Sequence, residues 1–154
     1  MTIPVEPESL RWRDRSLAIR VGLLIPVIEF WMRKSSFQRC QKGLLRLARW
    51  LPPYARRVTS LAEAQRIASL VALGNQRYSL YPADCLTLSL VLQYVLTRLG
   101  GEAELCLGVR TITGQFEAHA WVEVAGVPLN QLETVTDIYS RIDWTKSAAE
   151  KARG

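Results

Sequence analysis

The spacing of apolar residues changes rhythm once along the chain. Up to about residue 99 they recur every three or four positions, the period of a helix face; beyond it they alternate, the period of a strand. From about Ser9, the residues Leu10, Leu17, Val21, Leu24, Ile25 and Ile28 mark a first helix, and Val21–Trp31 is the most apolar stretch of the sequence. That stretch contains Pro26 and Glu29 and is far shorter than the roughly 20 apolar residues a membrane span requires. Pro26 is expected to kink or split the helix. A second helix is predicted from about Ser36 to Trp50, with Leu44, Leu45, Leu47 and Ala48 on one stripe and Arg39, Lys42, Arg46 and Arg49 largely outside it, ended by Pro52-Pro53. Ser60 and Glu63 have the spacing of a capping box and open a third helix to about Gly74. After a break at Tyr81-Pro82-Ala83-Asp84, a strongly apolar helix runs from about Cys85 to Leu99 and is closed by Gly100-Gly101.

In the alternating region, Ala103, Leu105, Leu107 and Val109 are interleaved with Glu104, Cys106, Gly108 and Arg110. A second run interleaves Phe116, Ala118, Ala120, Val122 and Val124 with Glu117, His119, Trp121 and Glu123. Both are predicted strands. Ala125-Gly126 is expected to turn the chain into a third strand, Val127 to about Asn130. Residues 1–8, with two prolines, form a loose leader, and the polar end beyond Ser147 is expected to fray.

Composition narrows this pattern to a soluble globular domain: 154 residues, 49% hydrophobic and 22% charged. The net charge of +6 divides unevenly. Residues 1–57 carry 12 Lys+Arg against 4 Asp+Glu, and residues 58–154 carry 8 against 10. The expected organisation is therefore a basic helical N-terminal extension (1–57), a mixed core (58–147) and a polar tail (148–154). A basic face can serve a membrane surface or an acidic partner, and it can equally be a solvated helix face. No recognised binding motif accompanies the charge, so nucleic acid is not expected. Three widely spaced cysteines, Cys40, Cys85 and Cys106, fit neither a disulfide framework nor a zinc site. With no signal-peptide pattern, a reducing cytosol is the expected compartment.

The chain has one histidine. A lone histidine is usually structural, but His119 falls on a polar strand face with Glu117, Trp121 and Glu123, opposite an apolar face. Cys85 stands at the predicted first turn of an apolar helix, just after Asp84 as N-cap. Free amides and the helix dipole there favour a thiolate, and an imidazole can complete its activation. The bland reading of Cys85 is a small buried hydrophobe. Cys106 is the rival nucleophile, on a strand face that can match that of His119 but without a helix dipole. Cys40, in a basic amphipathic helix, reads as packing. A base needs a third group to orient it. If Ala125-Gly126 is a two-residue turn, Trp121 pairs with Asn130, and Asn130 joins the face of His119 as a diagonal neighbour. Asn130 can equally be a strand-end residue entering a loop. Glu133 and Asp137 are fallback orienters.

These residues resemble a known family. Cys85-Leu-Thr-Leu-Ser-Leu-Val-Leu is followed by Leu99-Gly-Gly, a strand ending Leu107-Gly-Val-Arg110, then Ala118-His-Ala-Trp-Val-Glu-Val124 and Gly126-Val-Pro-Leu-Asn130. Over roughly residues 75–135 this is similar to the transglutaminase-like peptidases of lasso-peptide biosynthesis, the leader-removing B proteins. The His-Ala-Trp-Val-Glu stretch is common to the wider superfamily, and the Leu-Gly-Val-Arg strand with the short Gly-to-Asn spacing narrows it to the lasso group. The resemblance implies an α+β, papain-like cysteine-protease core: a catalytic helix packed on a small antiparallel sheet, with a Cys-His-Asp triad. Cys85 and His119 match the first two members; the third falls on or near Asn130, where the superfamily has aspartate. An amide stabilises an imidazolium less than a carboxylate does.

The resemblance further implies a cysteine peptidase that cuts the leader from a ribosomally made precursor peptide, working beside an asparagine-synthetase-like cyclase that closes a macrolactam. Many such systems hold the leader with a separate leader-recognition protein. The helical reading of 1–57, with no strands for a leader-binding sheet, fits that division, and these helices are expected to dock a membrane surface or a partner protein. The chemistry needs no cofactor, and no metal-ligand spacing is present. Three other readings remain: an amidating acyltransferase, an inactive scaffold that binds a precursor peptide, and a basic membrane-associated module whose Cys and His are coincidental.

Overall fold

The computed structural model describes residues 11–52, 57–129 and 135–143. The leader 1–8, Asn130, Glu133 and the tail 148–154 lie outside the described residues.

Among the described residues four helices precede the sheet: α1 (Trp12–Lys34), α2 (Phe37–Trp50), α3 (Leu61–Tyr78) and α4 (Cys85–Arg98). α1 is a single continuous helix, so Pro26 does not split it. Proline removes one backbone donor, and α1 buries Val21, Ile25 and Ile28 around that point, which holds the two halves against the same neighbours. At its start Asp14 is buried and accepts from Arg66 of α3 at 2.6 Å, joining the two helices by an ion pair. α3 runs four residues beyond the expected Gly74, to Tyr78.

The starts of α3 and α4 follow their sequence signals with one difference. Ser60 Oγ accepts from the Glu63 amide at 3.2 Å, but the Glu63 carboxylate accepts from the amide and hydroxyl of Thr59, at 2.7 and 2.9 Å. Thr59 offers two donors where the capping box uses one, which is why the carboxylate reaches one residue further back. Asp84 caps α4 as expected, its Oδ1 accepting from the Thr87 amide at 2.7 Å.

The sheet is antiparallel, in the order β3-β2-β1-β4: β1 (Glu104–Ile112), β2 (Gln115–Val124), β3 (Val127–Pro128) and β4 (Ser140–Arg141), with a short helix α5 (Val135–Ile138) before β4. α5 and β4 carry no periodicity long enough to read in the sequence. Ala125 and Gly126, with φ of 52° and 76°, form the expected two-residue turn that pairs Val124 with Val127. One sheet face carries Leu105 and Val122 into a core shared with α1, α2, α3 and α4. Polar side chains tie the helices to that core. Gln41 of α2 donates to Gln93 of α4 at 2.9 Å, and Gln93 donates to the Ala103 carbonyl at 3.1 Å. Arg98, at the end of α4, donates to the carbonyls of Leu51 and Pro52, fixing the end of α2.

Candidate functional site

Residues that alternate along β2 must alternate between faces, and the register fixes which share one. Gly108 pairs with His119, Cys106 with Trp121, Arg110 with Glu117 and Glu104 with Glu123. These eight residues form the sheet face opposite the helical core. The bulk on this face is aromatic. His119 stacks on Trp121, ring centres 6.2 Å apart and planes 20° from parallel, and Tyr139 lies 5.2 Å from His119. Gly108 makes this possible. A Cβ there would stand 2.8 Å from Tyr139 Cβ and 2.9 Å from the Trp121 ring, so only glycine lets both rings lie against the strand.

The two rings that flank His119 are each held by a charged partner. The buried Trp121 donates its indole N–H to the buried Glu123 at 2.7 Å, and Arg141 reaches the other Glu123 oxygen at 3.4 Å and Glu104 at 2.6 Å. This gives the His-x-Trp-x-Glu alternation its structural meaning: glutamate anchors tryptophan, and tryptophan backs histidine. On the other side Tyr139 donates its hydroxyl to Glu117 at 3.1 Å, and Arg110 pairs with Glu117 at 2.6 Å while its guanidinium lies 4.6 Å over the Tyr139 ring. The Arg110 hydrogen bond holds the Glu117 carboxyl below the usual carboxylate range. Tyr139 was not legible from sequence, because its place depends on α5 and β4 folding back over β1.

Cys85 is the first residue of α4 and is partly exposed. Asp84 occupies the Thr87 amide with its side chain and the Leu88 amide with its carbonyl, leaving the amides of Cys85 and Leu86 without an acceptor inside the helix. Cys85 lines a small cavity of about 80 Å³ with Ser89, Leu92, Ala120, Trp121 and Leu129, so the helix start abuts β2 at the histidine's own neighbours. Burial, the bond to Glu117 and the charge of Cys85 raise the pKa of the Tyr139 hydroxyl. Tyr139 therefore packs against the imidazole of His119 and senses the charge of Cys85.

The rival thiols differ. Cys106 does share the face of His119, but it is 2% exposed, and burial, with Glu123 beside it, pushes its pKa up to about 12. Cys40 is fully buried, and burial raises its thiol too. Asp137 lies exposed on α5. Glu104, Cys106 and Glu123 bring ligand atoms within 4.8 Å of one another, a grouping that sequence spacing does not reveal. Arg141 already compensates both carboxylates and the thiol is held protonated, so the cluster is a closed ionic network in which a cation would have to displace the guanidinium.

Comparison with known proteins agrees with this architecture. The family model described as transglutaminase-like superfamily matches residues 28–142, three quarters of the chain. The chain is also similar to the Microcin J25-processing protein McjB of Escherichia coli, 38% identical over 64 residues, which is 42% of this chain and 30% of that protein. No solved structure matches. The chain belongs to the transglutaminase-like superfamily.

Proposed function

We propose that this chain is a cysteine peptidase of lasso-peptide maturation, removing the leader from a ribosomally made precursor. The observation that carries the reading is the contrast among thiols: Cys85 combines a helix start, solvent access and a cavity wall shared with Ala120 and Trp121, the residues that follow His119 on β2, while Cys40 and Cys106 are buried and held protonated. Similarity to a microcin-processing protein supports the substrate class.

In this mechanism the Cys85 thiol gives its proton to His119 and the sulfur attacks the last leader carbonyl. The tetrahedral oxyanion is stabilised by the Cys85 amide, one of the two with no acceptor inside the helix. Collapse breaks the C–N bond as the His119 imidazolium protonates the departing amine, which becomes the amino terminus of the core. Water, deprotonated by His119, then hydrolyses the thioester, releasing the leader carboxylate and restoring the thiol. Asn130 orients the imidazole, with Glu133 and Asp137 as the alternative orienters, and Trp121 and Tyr139 confine the ring. A separate leader-recognition protein presents the precursor, and an asparagine-synthetase-like cyclase consumes the freed amine. Three free thiols fit a reducing cytoplasm, and among the described residues no helix is long and apolar enough to cross a membrane.

Mass spectrometry of a precursor mixed with the protein and a leader-recognition partner tests this. Wild type and Cys106→Ala should cleave, and Cys85→Ala should lose cleavage by a factor of about 10³ or more. Cleavage that survives Cys85→Ala would remove the nucleophile assignment. A crosslinked product would indicate acyl transfer to an amine, and tight binding without turnover would indicate a scaffold.

A further inference from the structure

The outer face of α1 is apolar where a solvated helix face would be polar. At about 100° per residue, Trp12, Ile19, Leu23, Val27 and Phe30 fall within an arc of roughly 80°. Their exposures are 77%, 37%, 66%, 59% and 64%. The opposite side of the helix carries Ala18, Val21, Ile25 and Ile28 into the core, so the exposed stripe is not a misplaced core face. It is bordered by cations on both flanks. Arg13 and Arg20 lie along one edge, Arg15 and Arg33 along the other, and Lys34 closes the far end with its ammonium 5.9 Å from the Phe30 ring; all five are exposed. No exposed carboxylate opposes them on α1. Asp14 is buried against Arg66, and Glu29 is half-buried.

We infer that this stripe lies on an anionic lipid surface. The stripe runs about 27 Å along α1 from Trp12 to Phe30, at ~1.5 Å per residue, long enough to lie along a planar fluid partner. Leucine, valine and phenylalanine side chains can enter the acyl boundary while the flanking arginines extend outward to headgroup phosphates, with Trp12 at one end suited to the interfacial zone. The charge sign selects the lipid: the exposed cations of α2, Arg39, Lys42, Arg46 and Arg49, are likewise unopposed by any acidic residue on that helix. The contact holds the protein at the membrane by its helical layer and leaves the sheet face that bears His119 outside the lipid contact. This inference stands independently of the peptidase reading.

Sedimentation of the full chain with vesicles tests it, comparing phosphatidylcholine with an equal mixture of phosphatidylcholine and phosphatidylglycerol. The wild type should pellet with the anionic vesicles and much less with the neutral ones. Leu23→Glu/Phe30→Glu should lower the partition coefficient by about 10-fold or more. Arg20→Gln/Arg33→Gln should lower it several-fold and flatten its salt dependence. All four positions are exposed, so circular dichroism should report an unchanged fold. Failure of the wild type to bind anionic vesicles, or binding untouched by the Leu23/Phe30 pair, would overturn the inference. So would a wild-type dimer in solution that the same pair converts to monomer, which would assign the stripe to a second copy of this chain.

Discussion

The start of α4 and strand β1 each present a cysteine, and their surroundings differ: one thiol meets solvent and the other is buried beside a carboxylate. Cys85 is partly exposed, beside amides that no helical carbonyl satisfies. Cys106 is two residues from Glu104, across from Trp121, and beside a buried carboxylate that disfavours a second negative charge. A thiolate is stabilised by amides and destabilised by burial near anions, so residue type decides nothing until the neighbours are known. The same polar sheet face therefore contains two separable regions. Around His119 it is aromatic; around Glu123 it is ionic and closed.

The largest expected effect is on thiol reactivity. At mildly alkaline pH, iodoacetamide should label Cys85 at least about 100-fold faster than Cys106 or Cys40, measured by peptide mass spectrometry. Comparable rates for Cys85 and Cys106 would dissolve the comparison. The sign with pH is fixed by the raised value of Cys106. Its neutral thiol supports the fold in full below the ordinary thiol range near pH 9, and that contribution is lost as pH rises through about 12. Cys106→Ala should therefore flatten the alkaline limb of the stability profile.

A next effect comes from Gly108, which lies where the aromatic and ionic regions meet. Gly108→Ala places a methyl against Trp121 and Tyr139 and should cost about 1–3 kcal/mol in denaturant titrations, with cleavage reduced more than binding because the rings beside His119 shift. An unchanged midpoint would mean that the rings are not packed on the strand. The smallest effect is at Asp84. Asp84→Ala removes the bond to the Thr87 amide and should destabilise by about 1 kcal/mol while slowing alkylation of Cys85 only modestly.

Much of this molecule is local in origin and was readable residue by residue. The helices followed from apolar spacing, α4 began at its Asp84 cap, and β1 and β2 followed from strict alternation, which also put His119, Trp121 and Glu123 on one face. The Ala125-Gly126 turn set the β2–β3 register because a two-residue turn permits only one. The capping-box spacing marks the start of α3 but not its bonding, since Thr59 competes for the carboxylate.

By itself, then, the sequence determined the periodic elements, the uneven charge and the identity of the residues available for chemistry, because each depends on spacing and composition along the chain. Tertiary structure alone decided which thiol is accessible, that Pro26 does not split α1, and that Tyr139 and Arg141 arrive from a late segment to flank the histidine and anchor the glutamates. Those outcomes depend on burial and on contacts between residues 18 to more than 50 positions apart. No local pattern encodes them, because desolvation and charge compensation are properties of the packed assembly rather than of any segment.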